Sequence, residues 1–129
     1  MKRRNGRGRK VKAEIKKLCR EIAEKFQPEK IILFGSHAYG TPREGSDIDL
    51  LVIMPYQGRH TQQAIKIHQS LDTLAPLDLL VRTPEEVTKR IEMEDFFMRE
   101  IVERGIVLYE ADHTGMDRQG RRRLGRRAA

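Results

Sequence analysis

Apolar residues recur at helical spacing near the start of the chain: Val11, Ile15, Leu18, Ile22 and Phe26, with Lys, Arg and Glu between them. The spacing predicts an amphipathic helix that ends near Pro28. "KIILFG" is a short continuous apolar run, as a buried strand would be. A short helix is predicted from Ser36, stopping before Pro42. "DIDLLVIMP" is a second strand, closed by Pro55. Residues 60–75 place Ala64, Ile67, Leu71 and Leu74 on one face, which predicts another helix.

"LDLLVRT" is a third strand. Thr83-Pro84-Glu85-Glu86 has the form of a capping box, with Thr83 as N-cap, Pro84 at the first helical position and Glu86 three residues after the cap. A helix of about two turns should follow. A further helix, from Asp95 to Arg104, stops at Gly105, the residue type of a left-handed C-cap. "IVLYE" closes the core as a fourth short strand, or as an extended segment docked on the sheet. The order α-β-α-β-α-β-α-α-β predicts an α/β (α+β) fold: a small mixed sheet of about four strands, with helices packed mainly on one face.

A length of 129 residues fits one domain with room for a modest core. No internal repeat is found. No apolar run approaches membrane-spanning length. The N-terminus is basic but lacks the apolar stretch of a secretory signal. Cys19 is the single cysteine, which excludes an intramolecular disulfide and a cysteine-rich zinc site. A cytoplasmic protein is expected.

Charge divides the chain into three. Residues 1–12 carry seven Lys/Arg and no acid, and residues 110–129 carry six Arg against three acids. Those ends contribute +7 and +3 to a formal charge of +7, so residues 13–109 carry −3. The basicity belongs to the ends. Residues 1–12 and 111–129, rich in Gly and Arg and poor in apolar residues, are expected to be disordered arms flanking a domain over 13–110. Such arms can grip RNA or DNA phosphates by counterion release, or serve only as solubilising segments.

The domain's own chemistry starts with Asp47 and Asp49. Residues two apart on a strand point to one face, so these carboxylates are expected side by side. Unpaired, they repel each other unless something positive intervenes, and a divalent cation neutralises both. Mg²⁺ is hard, takes oxygen ligands, and is usually held by one or two carboxylates with substrate phosphates. Alone, the pair also fits a solvated strand end. Asp78 changes that, because "PLDLLV" repeats the pattern of "DIDLLV". If the two strands are neighbours, three carboxylates converge as a two-metal site.

Gly35-Ser36 supplies a phosphate partner. Gly35 follows a strand and Ser36 opens a helix, whose free N–H groups and partial positive charge suit an anion. Gly35 lets the backbone approach closely, and the Ser36 hydroxyl adds a donor. Taken alone, the pair also fits an ordinary turn with a serine N-cap. It is not a Walker loop, since no Gly-Lys-Ser/Thr follows.

"GSHAYGTPREGSDIDLLV" followed by "LDLLV" resembles the signature of the DNA polymerase β-like nucleotidyltransferase superfamily. It is similar in particular to the small stand-alone members called minimal nucleotidyltransferases, over roughly residues 13–110. Gly35, Ser36, Gly40, Ser46, Asp47, Asp49 and Asp78 all match the pattern. The resemblance implies a polymerase β-like palm, with Gly35 and Ser36 on the β and γ phosphates of a nucleoside triphosphate. It implies that Asp47 and Asp49 bind two Mg²⁺ ions, and that Asp78 ligates the ion on the nucleophile side. Arg43 lies in the intervening loop and can reach the triphosphate or remain solvated. Ser46 can orient the first aspartate or simply start the strand. His37 is expected near the phosphates, with no catalytic role. Tyr39 and Tyr56 flank the site, where packing competes with base stacking. Phe96, Phe97, Ile101 and Val102 mark an apolar helix face.

The resemblance also carries an expected activity: transfer of AMP from ATP to a hydroxyl, typically a tyrosine, of a HEPN-type toxin partner by its cognate antitoxin. The chain leaves almost no residues for an acceptor domain, so a partner, a second copy or the basic arms must hold the acceptor. Two alternatives stand beside it. One is a non-catalytic antitoxin that masks its partner. The other is nucleotide addition to an RNA 3′ end, such as that of a tRNA, gripped by the arginine-rich arms. Nucleotide preference, acceptor and oligomeric state are not legible in the sequence.

Overall fold

The computed structural model describes residues 3–43 and 45–112. Five helices and four strands alternate in chain order: α1 (Arg3–Phe26), β1 (Lys30–Phe34), α2 (Ser36–Tyr39), β2 (Ile48–Ile53), α3 (His60–Ser70), β3 (Leu77–Arg82), α4 (Pro84–Glu92), α5 (Phe96–Arg104) and β4 (Ile106–Glu110). The strands form one mixed sheet in the order β3-β2-β1-β4. β1 runs antiparallel to β2 and β4, while β2 and β3 are parallel, joined by a crossover through α3.

Alternation along the strands builds two cores. Ile31 and Leu33, with Ile48, Leu50, Val52 and Val81, face α1 and α3 through Ile15, Leu18, Ile22 and Ile67. Ile32, Phe34, Leu51 and Ile53 face α4 and α5 through Val87, Met98 and Ile101. The α+β class therefore holds, but the helices cover both faces of the sheet rather than mainly one. β1 and β2 are apolar at nearly every position, and a strand apolar on both sides needs cover on both sides.

Two local expectations are corrected. The helix expected over residues 60–75 ends at Ser70, and Leu74 is fully exposed. Its last turn is tied to α1 instead: Lys25 Nζ donates to the Ser70 carbonyl, Lys17 Nζ to the Asp72 carbonyl, and the Thr73 hydroxyl to Glu14. Gly105 is not left-handed, having φ −70° and ψ 169°. A Cβ there would lie 2.5 Å from both the Ile101 carbonyl oxygen and Ile32 Cγ2. The residue is small because α5 and β1 meet at its backbone. α1 itself runs from Arg3 to Phe26. Lys and Arg are good helix formers, and a helix anchored at Ile15, Leu18 and Ile22 propagates without a new nucleation step. The expected tail over 111–129 lies, beyond Asp112, outside the described residues.

The capping box forms as expected. Thr83 Oγ1 accepts from the Glu86 N–H at 3.1 Å, and Glu86 Oε1 accepts from the Thr83 N–H at 3.0 Å. Among the described residues, no helix is long and apolar enough to cross a membrane.

Candidate active site

The site forms where β1 ends and β2 and β3 begin. Asp49 stands opposite Phe34 in the β1–β2 ladder and directly beside Asp78 in the parallel β2–β3 ladder. Leu50 and Leu79 belong to the α1–α3 core, so Asp49 and Asp78, one position earlier, project to the opposite face. Asp47 lies just ahead of β2. Asp47 and Asp78 are exposed, and Asp49 is half-buried.

The three carboxylates act on one another. The Asp49 pKa is raised, first by burial, then by the charges of Asp78 and Asp47, and by a hydrogen bond with Asp78, while His37 opposes the shift. Among the described residues, no Lys or Arg forms an ion pair with any of the three. Nor, among the described residues, do three His, Cys, Asp or Glu side chains close into a ready-made metal cage. The donor set is an open, oxygen-only, like-charged cluster. That suits a hard cation that shares its coordination with water and phosphate, as Mg²⁺ does, better than a closed cage would.

Gly35 brings the turn between β1 and α2 against this cluster. Its φ of 76° and ψ of −162° belong to a region open essentially to glycine. A Cβ on Gly35 would lie 2.1 Å from Asp49 Oδ2. The absent side chain is what allows α2 to start beside the carboxylate. The Gly35 carbonyl accepts from the N–H groups of Ala38 and Tyr39 at 3.0 Å, closing a single helical turn. The first N–H groups of such a turn have no intrahelical partner. Gly40, left-handed at φ 84°, ends the turn and donates to the Ser36 carbonyl.

The loop after α2 is held by its own bonds. Ser46 Oγ accepts from the Arg43 N–H at 2.7 Å, and the Ser46 N–H donates to the Arg43 carbonyl at 2.9 Å. Ser46 therefore shapes the loop from inside and bonds to Arg43, not to Asp47. His37 ties α2 to the same loop, with Nε2 3.2 Å from the Ser46 carbonyl oxygen. The sequence placed His37 near the phosphates but offered no sign of this link, since no spacing connects a histidine to a carbonyl nine residues on. Arg43 is exposed at the rim.

The model of the family described as Polymerase beta, Nucleotidyltransferase matches residues 15–114. The chain belongs to that family. No curated protein matches it significantly. Among solved structures it is similar to a crystal structure from Sulfolobus solfataricus described as a "putative nucleotidyltransferase", with 18% identity, 74% of this chain and 77% of that one covered, and a TM-score of 0.53. At that identity the likeness bears on the fold. The polymerase β-type nucleotidyltransferase match spans α2, its loop, β2 and β3, so every residue of the site lies within it.

Tyr39 and Tyr56, the two tyrosines flanking the site in sequence, are both engaged. The guanidinium of Arg104 sits 4.3 Å from the centroid of the Tyr39 ring, and Tyr56 donates its hydroxyl to Glu86 at 3.1 Å. An aromatic contact from α5 packs on Phe34, the residue ahead of Gly35 and opposite Asp49 in the ladder. Phe97 meets Phe34 edge to face, with centroids 5.9 Å apart and planes at 81°.

Proposed function

We propose that this nucleotidyltransferase moves AMP from ATP onto a hydroxyl of a protein partner, as the antitoxin of a HEPN-type toxin in the cytoplasm. The observation behind the transfer is the approach of Gly35 to Asp49, with Asp78 in register beside Asp49. It supports reading the turn as a phosphate holder set against a carboxylate cluster. The partner and its class rest on the resemblance of this compact chain to minimal nucleotidyltransferases.

In this reading Gly35 and Ser36 hold the β and γ phosphates, and Arg43 reaches them from the rim. Asp47, Asp49 and Asp78 would hold two Mg²⁺ ions, which supply charge neutralisation and lower the pKa of the attacking hydroxyl. Asp78, the exposed member beside Asp49, faces the acceptor and helps its hydroxyl give up a proton. The acceptor oxygen bonds to the α-phosphorus, the bond to the bridging oxygen breaks, and pyrophosphate leaves.

RNA as the acceptor is favoured by one observation. A groove of about 1420 Å³ runs from His37, Arg43 and Ser46 to Lys10, Lys12 and Lys16 on α1. Its cations suit a phosphate backbone. Among its described lining residues, however, none is Phe, Tyr or Trp, and His37 is the one aromatic ring it offers a base.

One assay separates these readings. The protein and its Asp49→Asn variant are incubated with each α-³²P nucleoside triphosphate, Mg²⁺ and a lysate of the source organism. Protease-sensitive label dependent on Asp49 supports protein AMPylation. RNase-sensitive label moves the acceptor to RNA. No label above the variant overturns the catalytic reading and leaves a module that masks its partner.

A further inference from the structure

We propose that Phe97 is the platform on which the base of the nucleoside triphosphate stacks, which deepens the nucleotidyltransferase reading and depends on it. The chain has four Phe, three Tyr and no Trp, and all seven rings lie within the described residues. Five are already committed. Phe26 and Tyr109 pack against the α1–α3 core, and Phe34 is buried on the opposite side of the sheet. Tyr39 lies under Arg104, and Tyr56 is hydrogen-bonded to Glu86. That leaves Phe96, 72% exposed, and Phe97, 55% exposed.

Only Phe97 of these two makes a ring contact among the described residues, and the contact leads to the site. Its partner Phe34 precedes Gly35 in the chain and stands opposite Asp49 in the ladder. Phe97 thus lies one ring contact from the residue that joins the phosphate turn to the carboxylates. A nucleotide whose phosphates are held at Gly35-Ser36 would set its base against that ring. The edge-to-face contact fixes Phe97 through Phe34 and leaves more than half of the side chain open. A π-face accepts any base, so the platform supplies affinity with little choice among nucleotides.

The test uses the full chain with Mg²⁺ and two probes, α,β-methylene ATP and inorganic tripolyphosphate, measured by calorimetry. Quenching of a 2-aminopurine riboside triphosphate reports stacking directly. Phe97→Ala should weaken binding of the ATP analogue about tenfold or more, abolish the quench and leave tripolyphosphate affinity unchanged. Phe97→Tyr should restore both nucleotide readouts. Phe97→Leu, which keeps apolar bulk and guards against a simple folding loss, should not. Unchanged nucleotide affinity and quench in Phe97→Ala and Phe97→Leu would overturn the proposal. Equal loss of both probes would reduce Phe97 to a structural residue, and overturn it as well. A wild-type protein that binds neither probe would instead sink the nucleotidyltransferase reading beneath it. If the nucleotide still stacks while a protein partner fails to bind Phe97→Ala, the ring belongs to a docking surface and the platform is elsewhere.

Discussion

Gly35 and Asp49 occupy space that one additional carbon atom would fill: a Cβ on the glycine would stand 2.1 Å from the aspartate's Oδ2. The tight turn after β1 and the carboxylate-bearing strand β2 meet at that point. The contact fixes how far any triphosphate held by the turn can lie from the acidic cluster.

Gly35→Ala tests this contact. The variant must relieve a clash with Asp49 and adopt a φ of 76° that disfavours a side chain. Strain of about 1–3 kcal/mol is expected in stability. Displacing the turn by a fraction of its diameter should cost about a hundredfold in transfer. Melting curves together with the labelling assay check both. Wild-type transfer in Gly35→Ala would show that the contact does not govern the reaction.

Asp49→Asn should abolish transfer, by about a hundredfold or more, without loss of stability. The folded state raises the Asp49 pKa through burial and the Asp78 and Asp47 charges. The folded protein therefore keeps this proton to higher pH than the unfolded chain does. Across that window the unfolded state binds fewer protons, so stability falls as pH rises. Above the raised folded-state pKa the penalty is fully present, and Asn removes it. In EDTA the variant should melt at or above the wild type at pH 7, and the gap should close as pH falls below the ordinary carboxylate pKa. A variant that melts lower throughout would contradict this reading of the cluster.

Thr83→Ala should cost about 1 kcal/mol, because it removes the acceptor for the Glu86 N–H at the start of α4. Glu86 gives a pH signature. Its pKa is lowered, chiefly by the Thr83 backbone hydrogen bond and against the effect of burial. That stabilisation is present above the ordinary glutamate pKa and is lost as pH falls through the lowered value. Denaturation of wild type and Glu86→Gln at several pH values should show a difference near neutrality that fades in acid.

Gly105→Ala should destabilise the fold by about 1–3 kcal/mol through overpacking. A Cβ would press on the Ile101 carbonyl, Ile32 and the Leu33 carbonyl, and two of those atoms are backbone. Its φ is ordinary, so the effect is one of space alone. An unchanged melting temperature would mean that α5 can move away from β1.

The sequence by itself determined the element order, the four strands and the Thr83 capping box, and it named Gly35, Ser36, Asp47, Asp49 and Asp78 as candidates for the site. Local periodicity carries strands and helices, and the spacing of Gly35-Ser36, Asp47, Asp49 and Asp78 is a local pattern too. Cover on both faces was implicit in β1 and β2, which are apolar at nearly every position, but which helices supply it only the tertiary structure decided. The sequence misplaced the end of α3, because Lys17, Lys25 and Glu14 reach it from 45 to 59 residues away. It read Gly105 as a left-handed C-cap, when the constraint is space, set by the Ile101 carbonyl and by a strand more than 70 positions earlier. It could not show that Asp78 stands beside Asp49, that Gly35 makes room for Asp49, or that Phe97 leans on Phe34. Those relations join different elements, and only the way the sheet and helices close on one another sets the distances between them.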